Sequence, residues 1–582
     1  MQHGLAFARG PRAEVERRQA RLERFLAPLG CTWSARWSGD AALIAWEAGP
    51  APANRPLLHA ESARPNGRLA WGGGSGGSAA TAGRWTWGER LPAALDAPEL
   101  LLAASDAELR ALDGSHACFA VADGRARIVT GGGGPAGLFA AADARIAAWA
   151  TSATAAALLG THRLALDLDA LPALLAFGAL FGEQTHVTGV SAIDPGVRID
   201  VAPGAPPRRT DYWARAERWA PLEEAEAEAA ARGALLDTVG ARLGREEAPW
   251  LALTAGRDSP VLAAACALLD LRVPTFTFGD PEWPDVAGAA AIAERMGLEH
   301  RHHPLGALPE PEVRAEADRD ARWFDGLAGV GPTGPPALPA EMSAMVTGAG
   351  AEVGRAYSYQ AVARSRPRPR TEHLVAAMDP AGRLPGAPPA AHDAAGASLR
   401  TWLGEPGVPA GWRALDALYT EHRVGRWGTA RVPRTHPGPI LAPFSAPPLA
   451  RALSALPLED RLAVGFHRRL VAEVAPDVVL PPMQTQRRGV PAPLRRARAA
   501  LREDGGRKAA PPWAWAQTWH ARPALRAWIA DDLLADPLLA EWLGPSWAAA
   551  LRAGFAADDA RHAERALLIA GLVLWARAAD AA

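Results

Sequence analysis

Up to residue 212 the apolar positions of this chain fall in short runs separated by Gly, Pro and Asp. The runs at 41–46, 117–121, 126–130 and 197–201 predict antiparallel strands joined by tight turns. The Gly-rich pieces 72–77 and 131–134 read as turn or loop material, and 166–180 reads as a helix. Beyond residue 213 the rhythm changes. An Ala-, Glu- and Leu-rich stretch at 221–244 predicts a long helix. Strands at 251–254, 275–278 and 345–347 then alternate with helices at 259–269 and 285–296. That alternation predicts a parallel sheet with helices on both faces. The Pro- and Arg-rich stretches 364–370 and 384–391 read as loops. From Trp513 onward the pattern is helical, with its Trp positions read as packing. No internal repeat is visible.

A chain of 582 residues exceeds what one core organises. The change of rhythm places domains at 1–213 and 214–510, with a helical extension at 511–582. The balance of 49% hydrophobic and 21% charged residues describes a folded, soluble protein. A formal net charge of −1 gives no global field for nucleic acid or an anionic membrane, so neither is expected as a partner. No apolar run reaches the roughly 18–20 residues of a membrane span. The first residues lack the apolar core of a signal peptide. Three cysteines, Cys31, Cys118 and Cys266, stand far apart without Cys-x-x-Cys spacing, against a disulfide framework or a zinc cluster. A reducing, cytoplasmic setting is expected. Lys508 is the single lysine, so a mechanism needing that side chain has one candidate.

The strand predicted at 251–254 runs into Thr254-Ala255-Gly256-Arg257-Asp258-Ser259, and a helix follows at once. A strand feeding a small-residue turn and a helix N-terminus suits a phosphate group, because outward N–H groups and the helix dipole favour anions. Asp258 would repel a bare phosphate, which points to a bridging Mg²⁺. The alternative is an ordinary turn in which Asp258 and Ser259 cap the helix. The spacing is not that of a Walker loop, and no Lys is present to complete one. A second strand ends in Gly279-Asp280, and Asp285 opens the next helix. Turn and N-cap duty is the favoured reading for both acids. The third strand runs into Gly348-Ala349-Gly350-Ala351-Glu352, then Arg355 and Tyr357. Asp258 and Glu352, at the ends of adjacent strands, could share an Mg²⁺ bound to a triphosphate.

In order and spacing these segments resemble the asparagine synthetase family. That family joins a glutaminase-type domain to an ATP-pyrophosphatase synthetase domain. Residues 254–259 are similar to its loop Ser-Gly-Gly-x-Asp-Ser, with Thr254 for Ser and Ala255 for Gly. Residues 347–357 are similar to its second loop, Ser-Gly-x-Gly-x-Asp-Glu, with Glu352 at the acidic pair. Residues 114–130 and 149–158 resemble the closing glutaminase segments. Residues 190–213, with Asp194-Pro195-Gly196 and Asp211-Tyr212-Trp213, resemble the interdomain junction. Pro443-Phe444 and Leu480-Pro481 resemble later landmarks. The resemblance implies an α+β, Ntn-hydrolase-like antiparallel sandwich. An α/β parallel-sheet domain of the adenine nucleotide α-hydrolase type and helical C-terminal extension would follow it. It further implies ATP and Mg²⁺, with Thr254, Ala255, Gly256, Arg257, Asp258, Ser259, Gly348 and Gly350 around the nucleotide, and Asp258 and Glu352 on the metal.

Three departures sharpen the expectation. Gln2 and His3 stand where the family's glutaminase has its nucleophilic Cys, which implies no glutamine hydrolysis. Beyond Leu480-Pro481 the family's Arg-x-Lys is replaced by Arg487-Arg488, which keep charge without a titratable amine. Ala442-Pro443-Phe444-Ser445 lacks the acid that often follows Pro-Phe. Relatives without the Cys include β-lactam synthetases and lasso-peptide macrolactam synthetases. The expected activity is therefore AMP-forming amide ligation of a small-molecule or peptide substrate, a precursor peptide among them. Glu352, Tyr357, Arg487 and Arg488 are the expected catalytic residues. A non-catalytic nucleotide- or peptide-binding homologue and ammonia-dependent asparagine synthesis are the alternatives.

Overall fold

The computed structural model describes residues 3–47, 83–88, 98–480 and 522–582. Within these spans it omits 113, 115, 123–124, 135–136, 280, 282, 305–307, 332–338, 340, 361, 367, 427–439 and 558. The expectations for 72–77, Asp280, Arg487, Arg488 and Lys508 lie outside the described residues.

Two antiparallel sheets form the N-terminal part. The first has the order β2 (Thr32–Ser38), β3 (Ala41–Glu47), β1 (His3–Arg9), β8 (Ala147–Ala150), β7 (Phe139–Ala142), β9 (Val190–Ala192). The second runs β11 (Arg208–Asp211), β10 (Val197–Val201), β6 (Arg125–Thr130), β5 (His116–Ala122), β4 (Gly83–Gly88). The period of two decides what faces what. Leu5 and Phe7 of β1 share a core with Ala117 and Phe119 of β5 and Ile199 of β10, so the sheets pack face to face. Ala6 and Ala8 turn the other way, onto helices Arg12–Leu26 and Ala153–Gly160. Cys118 and Ala120 turn onto Leu101 and Leu109 of two short helices. The result is four layers, helix, sheet, sheet, helix.

The expected helix at 166–180 is shorter, Leu171–Phe177. Asp167 accepts hydrogen bonds from the N–H groups of Asp169 and Ala170 and turns the chain first, while Leu166 bridges to Val187. At the other loop expectation, helix Pro389–Leu403 takes the last residues of 384–391, with proline at its first turn.

The parallel sheet has the order β14 (His300–His303), β13 (Thr275–Phe278), β12 (Pro249–Ala252), β15 (Ala344–Val346), β16 (Ile440–Leu441). From β12 the chain builds outward through β13 and β14, then returns to β12's other side for β15 and β16. The direction therefore reverses between β12 and β15, the place where open parallel sheets leave a crevice. Helices Glu224–Leu243, Ser259–Leu268 and Pro284–Arg295 share one core with Leu251 and Val346. Trp250, Phe276 and Met345 point to the opposite face, where Arg301 lies 4.6 Å over the Trp250 ring. Asp285 sits in the first turn of Pro284–Arg295, but the N-cap position is Trp283.

Helix Ala560–Asp580 brings Leu572 and Trp575 into the core that also holds Ala153 and Leu158 of the sandwich. The Trp575 Nε1–H donates to Thr154 Oγ1 at 2.8 Å. The C-terminal tryptophans Trp528, Trp547 and Trp575 are buried, as packing requires. Among the described residues, no helix is long and apolar enough to cross a membrane.

Candidate active site at the parallel-strand ends

Both predicted loops leave the C-terminal ends of β12 and β15 and touch each other. A Cβ at Gly348 would stand 3.0 Å from both Asp258 Cβ and Ser259 N, so any larger residue would press the two loops apart by a few tenths of an ångström. Gly350 has φ +99°, the left-handed region that favours glycine, and lies against Phe444. Ala255 presses its methyl onto Gly288, where a Cβ has no room. Gly288 thus accommodates the one extra carbon that Ala255 brings.

Inside the first loop, Ser259 is buried and its Oγ accepts from Thr254 N–H at 3.0 Å, while Thr254 Oγ1 accepts from Gly256 N–H at 3.2 Å. Asp258 occupies the N-cap position of Ser259–Leu268, yet its side chain makes no capping hydrogen bond. The cap reading of Asp258 therefore does not describe its carboxylate. That carboxylate turns to the second loop. Arg355 Nε donates to Oδ1 at 3.0 Å and Nη2 to Oδ2 at 2.8 Å, a bidentate pair.

Glu352 joins the same arginine, with Oε1 3.4 Å from Arg355 Nη2. Its Oε2 accepts from Gly350 N–H at 3.1 Å, and the Tyr419 hydroxyl also bonds to this carboxylate. Burial first, then the Asp258 charge, raises the Glu352 pKa; Arg355 opposes them. Burial chiefly, with Glu352 next, pushes Tyr419 well above the ordinary phenol range. His467 is fully buried behind the pair, its Nε2 3.7 Å from Asp258 Oδ1. Burial holds its pKa down at about 4, so the ring is neutral at pH 7. Arg257 is half-buried within electrostatic reach of Arg355, Asp258 and Arg468, and burial followed by Arg355 lowers its pKa.

The expected pair of acids thus comes together. A bridging Mg²⁺ does not fit between them while Arg355 stands there, because both Asp258 oxygens and one of Glu352 already face its guanidinium. Among the described residues, no group of three or more His, Cys, Asp or Glu converges as a metal-ligating cluster. Tyr357 is half-exposed at the mouth, with the Arg355 guanidinium 4.8 Å over its ring. Sequence reasoning assigned no role to Arg355, His467 or Tyr419. Arg355 lay inside the second loop motif, whereas His467 and Tyr419 sit in helical stretches that carry no local signal.

No protein-family model matches the chain, and no curated protein matches it in sequence. Among solved structures it is similar to the allosteric regulatory enzyme of purine biosynthesis. That pair is 10% identical with a TM-score of 0.23, over 64% of this chain and 78% of the other. It is also similar to glutamine phosphoribosylpyrophosphate amidotransferase from B. subtilis complexed with ADP and GMP. Here identity is 9% and the TM-score 0.22, over 64% of this chain and 79% of the other. Likeness this distant leaves the site to be read from its own geometry.

Proposed function

We propose that this chain is an ATP-dependent, AMP-forming amide ligase that joins a carboxylate to an amine without hydrolysing glutamine. One observation carries the reading. Two glycine-containing loops meet at the reversal point of a parallel sheet and set Asp258, Glu352 and Arg355 against a helix N-terminus. The nucleotide's pyrophosphate end belongs on Thr254–Ser259. A substrate carboxylate oxygen bonds to the α-phosphorus as the bond to the bridging oxygen breaks, and pyrophosphate leaves. An amine then attacks the acyl carbon, AMP departs, and the amine loses a proton. Glu352 suits that last step, because a raised carboxylate pKa makes a stronger base.

The thiols support the absence of a glutaminase step. Cys118 is fully buried, and burial pushes the Cys31 and Cys266 thiols up to about 12, far from a thiolate at neutral pH. The substrate is a small molecule or a peptide. A nucleotide-binding homologue without turnover is the second reading, favoured by the closed Asp258–Arg355 pair.

The test is calorimetric titration with a non-hydrolysable ATP analogue, for the wild type, Asp258→Asn and Glu352→Gln. Micromolar binding weakened about tenfold or more in each variant is expected. A folded wild type that binds no nucleotide overturns the proposal. Pyrophosphate release on a carboxylate panel separates ligation from binding alone.

A further inference from the structure

We infer that Arg461 and Asp416 are positioning residues for the strand-end site: together they fix the second loop, so that Glu352 and Arg355 stand against Asp258. The inference rests on the nucleotide reading above and names the buried pair that holds its geometry from behind.

Three observations carry it. The first is the grip on the loop. Val353 lies between Glu352 and Arg355 in the one-turn segment Ala351–Arg355. Its carbonyl oxygen accepts from Arg461 Nε at 2.9 Å and from Nη2 of the same guanidinium. Two donors of one planar group on a single backbone oxygen fix the loop where its two functional side chains leave the chain.

The second is what holds the arginine. Asp416 accepts from Arg461 Nη2 with both oxygens at 2.8 Å, and its Oδ2 also accepts from the Tyr359 hydroxyl at 2.8 Å. The Tyr359 ring stacks on Trp412, with centroids 4.9 Å apart. The Arg461 and Asp416 side chains are 3% and 4% exposed. A pair buried this deeply resists displacement, because separating it leaves an uncompensated charge. The chain is therefore gripped at Val353 and again at Tyr359.

The third is shared support. Asp416 belongs to helix Arg413–Leu418, which continues into the segment Tyr419–Arg426. The Tyr419 hydroxyl bonds to the Glu352 carboxylate. One helical run thus holds the Glu352 side chain directly and the carbonyl of the next residue through Arg461. The Val353 oxygen also accepts from Ala356 N–H at 3.2 Å, so losing the guanidinium removes the anchor without orphaning the carbonyl.

The experiment compares wild type, Arg461→Lys and a triple variant that joins Arg461→Met to Asp416→Leu and Tyr359→Phe. The triple change puts apolar side chains in place of the whole buried network and strands no charge, which favours a retained fold. Arg18→Met is the control. Arg18 is also 3% exposed, and it donates to the carbonyls of Leu159 and Gly160 at the end of helix Ala153–Gly160 in the sandwich. Each protein is titrated with a non-hydrolysable ATP analogue, and amide hydrogen exchange is followed over residues 348–356.

The triple variant is expected to bind about tenfold or more weakly and to exchange about tenfold or more faster over 348–356. Arg461→Lys keeps a charge and loses the fork, and should fall between it and the wild type. Arg18→Met should bind within about twofold of the wild type, with unchanged exchange at the loop. Wild-type affinity in the triple variant overturns the inference and leaves the nucleotide reading standing. Weakened binding with wild-type exchange over 348–356 overturns it as well. So does an equal loss in Arg18→Met, which marks a general effect of stability. A folded wild type that binds no analogue overturns both readings. If the triple variant fails to fold, Arg461→Lys against Arg18→Met decides.

Discussion

Two clusters built from arginine and carboxylate side chains differ in burial in this molecule. Between the sandwich and the later part of the chain, Glu421 accepts from Arg218 at 2.8 Å, Trp219 at 2.9 Å and Arg215 at 2.8 Å. Arg215 continues to Asp194 and Glu405, and Arg426 closes the ring onto Asp194 at 2.9 Å. The Glu421 side chain is 2% exposed, and Arg218 and Arg215 hold its pKa far below the ordinary range despite burial. At the strand ends Asp258, Glu352 and Arg355 form a smaller group with its acids partly in water. The junction cluster centres on a buried carboxylate whose two oxygens are both bonded, which fits a structural fastener. The open one can exchange a partner, which fits a binding site. Burial of the central carboxylate, not residue types, separates the two roles.

Breaking each cluster should show that difference in stability. Glu421→Ala takes the shared buried acceptor from two guanidiniums and an indole N–H, and should cost about 3–5 kcal/mol. Arg355→Met leaves two acids that water can reach, and should cost only about 1–2 kcal/mol. Urea unfolding of both variants checks the ranking. Equal losses would mean that the strand-end cluster is as structural as the junction.

Acid sharpens the comparison, because each cluster has one buried histidine. Burial lowers His422 to about 3 and His467 to about 4, from an ordinary value of 6.5. Around His422, Arg426 and Arg215 also lower the pKa and Glu421 and Asp194 oppose them; around His467, Asp258 and Asp460 oppose and Arg355 assists. A depressed histidine pKa contributes stability above 6.5 that is lost as pH falls, since the unfolded chain takes up the proton first. Between pH 7 and pH 4.5 each site should lose on the order of 3 kcal/mol. Thermal melts across that window should fall steeply for the wild type. The fall should be shallower for His422→Leu and His467→Leu, measured against each variant's own value at pH 7.

Much of this was legible in sequence because it is local. The runs that became β3, β5, β6 and β10, and the helix after Asp258, are set by neighbours in the chain. The two loops were legible too, since small residues at a strand end leave a compositional trace. What escaped depends on distant partners. His300–His303 is a polar edge strand whose pairing with β13 gives it its shape, so its own pattern carries no strand signal. Asp258 could be placed in its turn, yet its partner Arg355 is 97 positions away. His467 and Tyr419 reach the site only through helix packing. A bridging metal followed from counting acids, and the arginine between them is visible only in three dimensions.

The smallest expected effect bears on Tyr357, nominated from sequence for a chemical role. Its ring stacks on Arg355 from the solvent side, and the side chain is half-exposed. Tyr357→Phe keeps the ring face that a cation attracts, so stability should stay within about 0.5 kcal/mol of the wild type. Nucleotide affinity should also hold, because the guanidinium keeps its seat. Tyr357→Ala removes the ring and should loosen Arg355, weakening that affinity about two- to fivefold. The pair of variants divides the side chain in two. If the phenylalanine variant binds normally but slows pyrophosphate release, the hydroxyl acts on substrate. If only the alanine variant changes, Tyr357 serves by holding Arg355 over the acids, and the chemistry rests with Glu352.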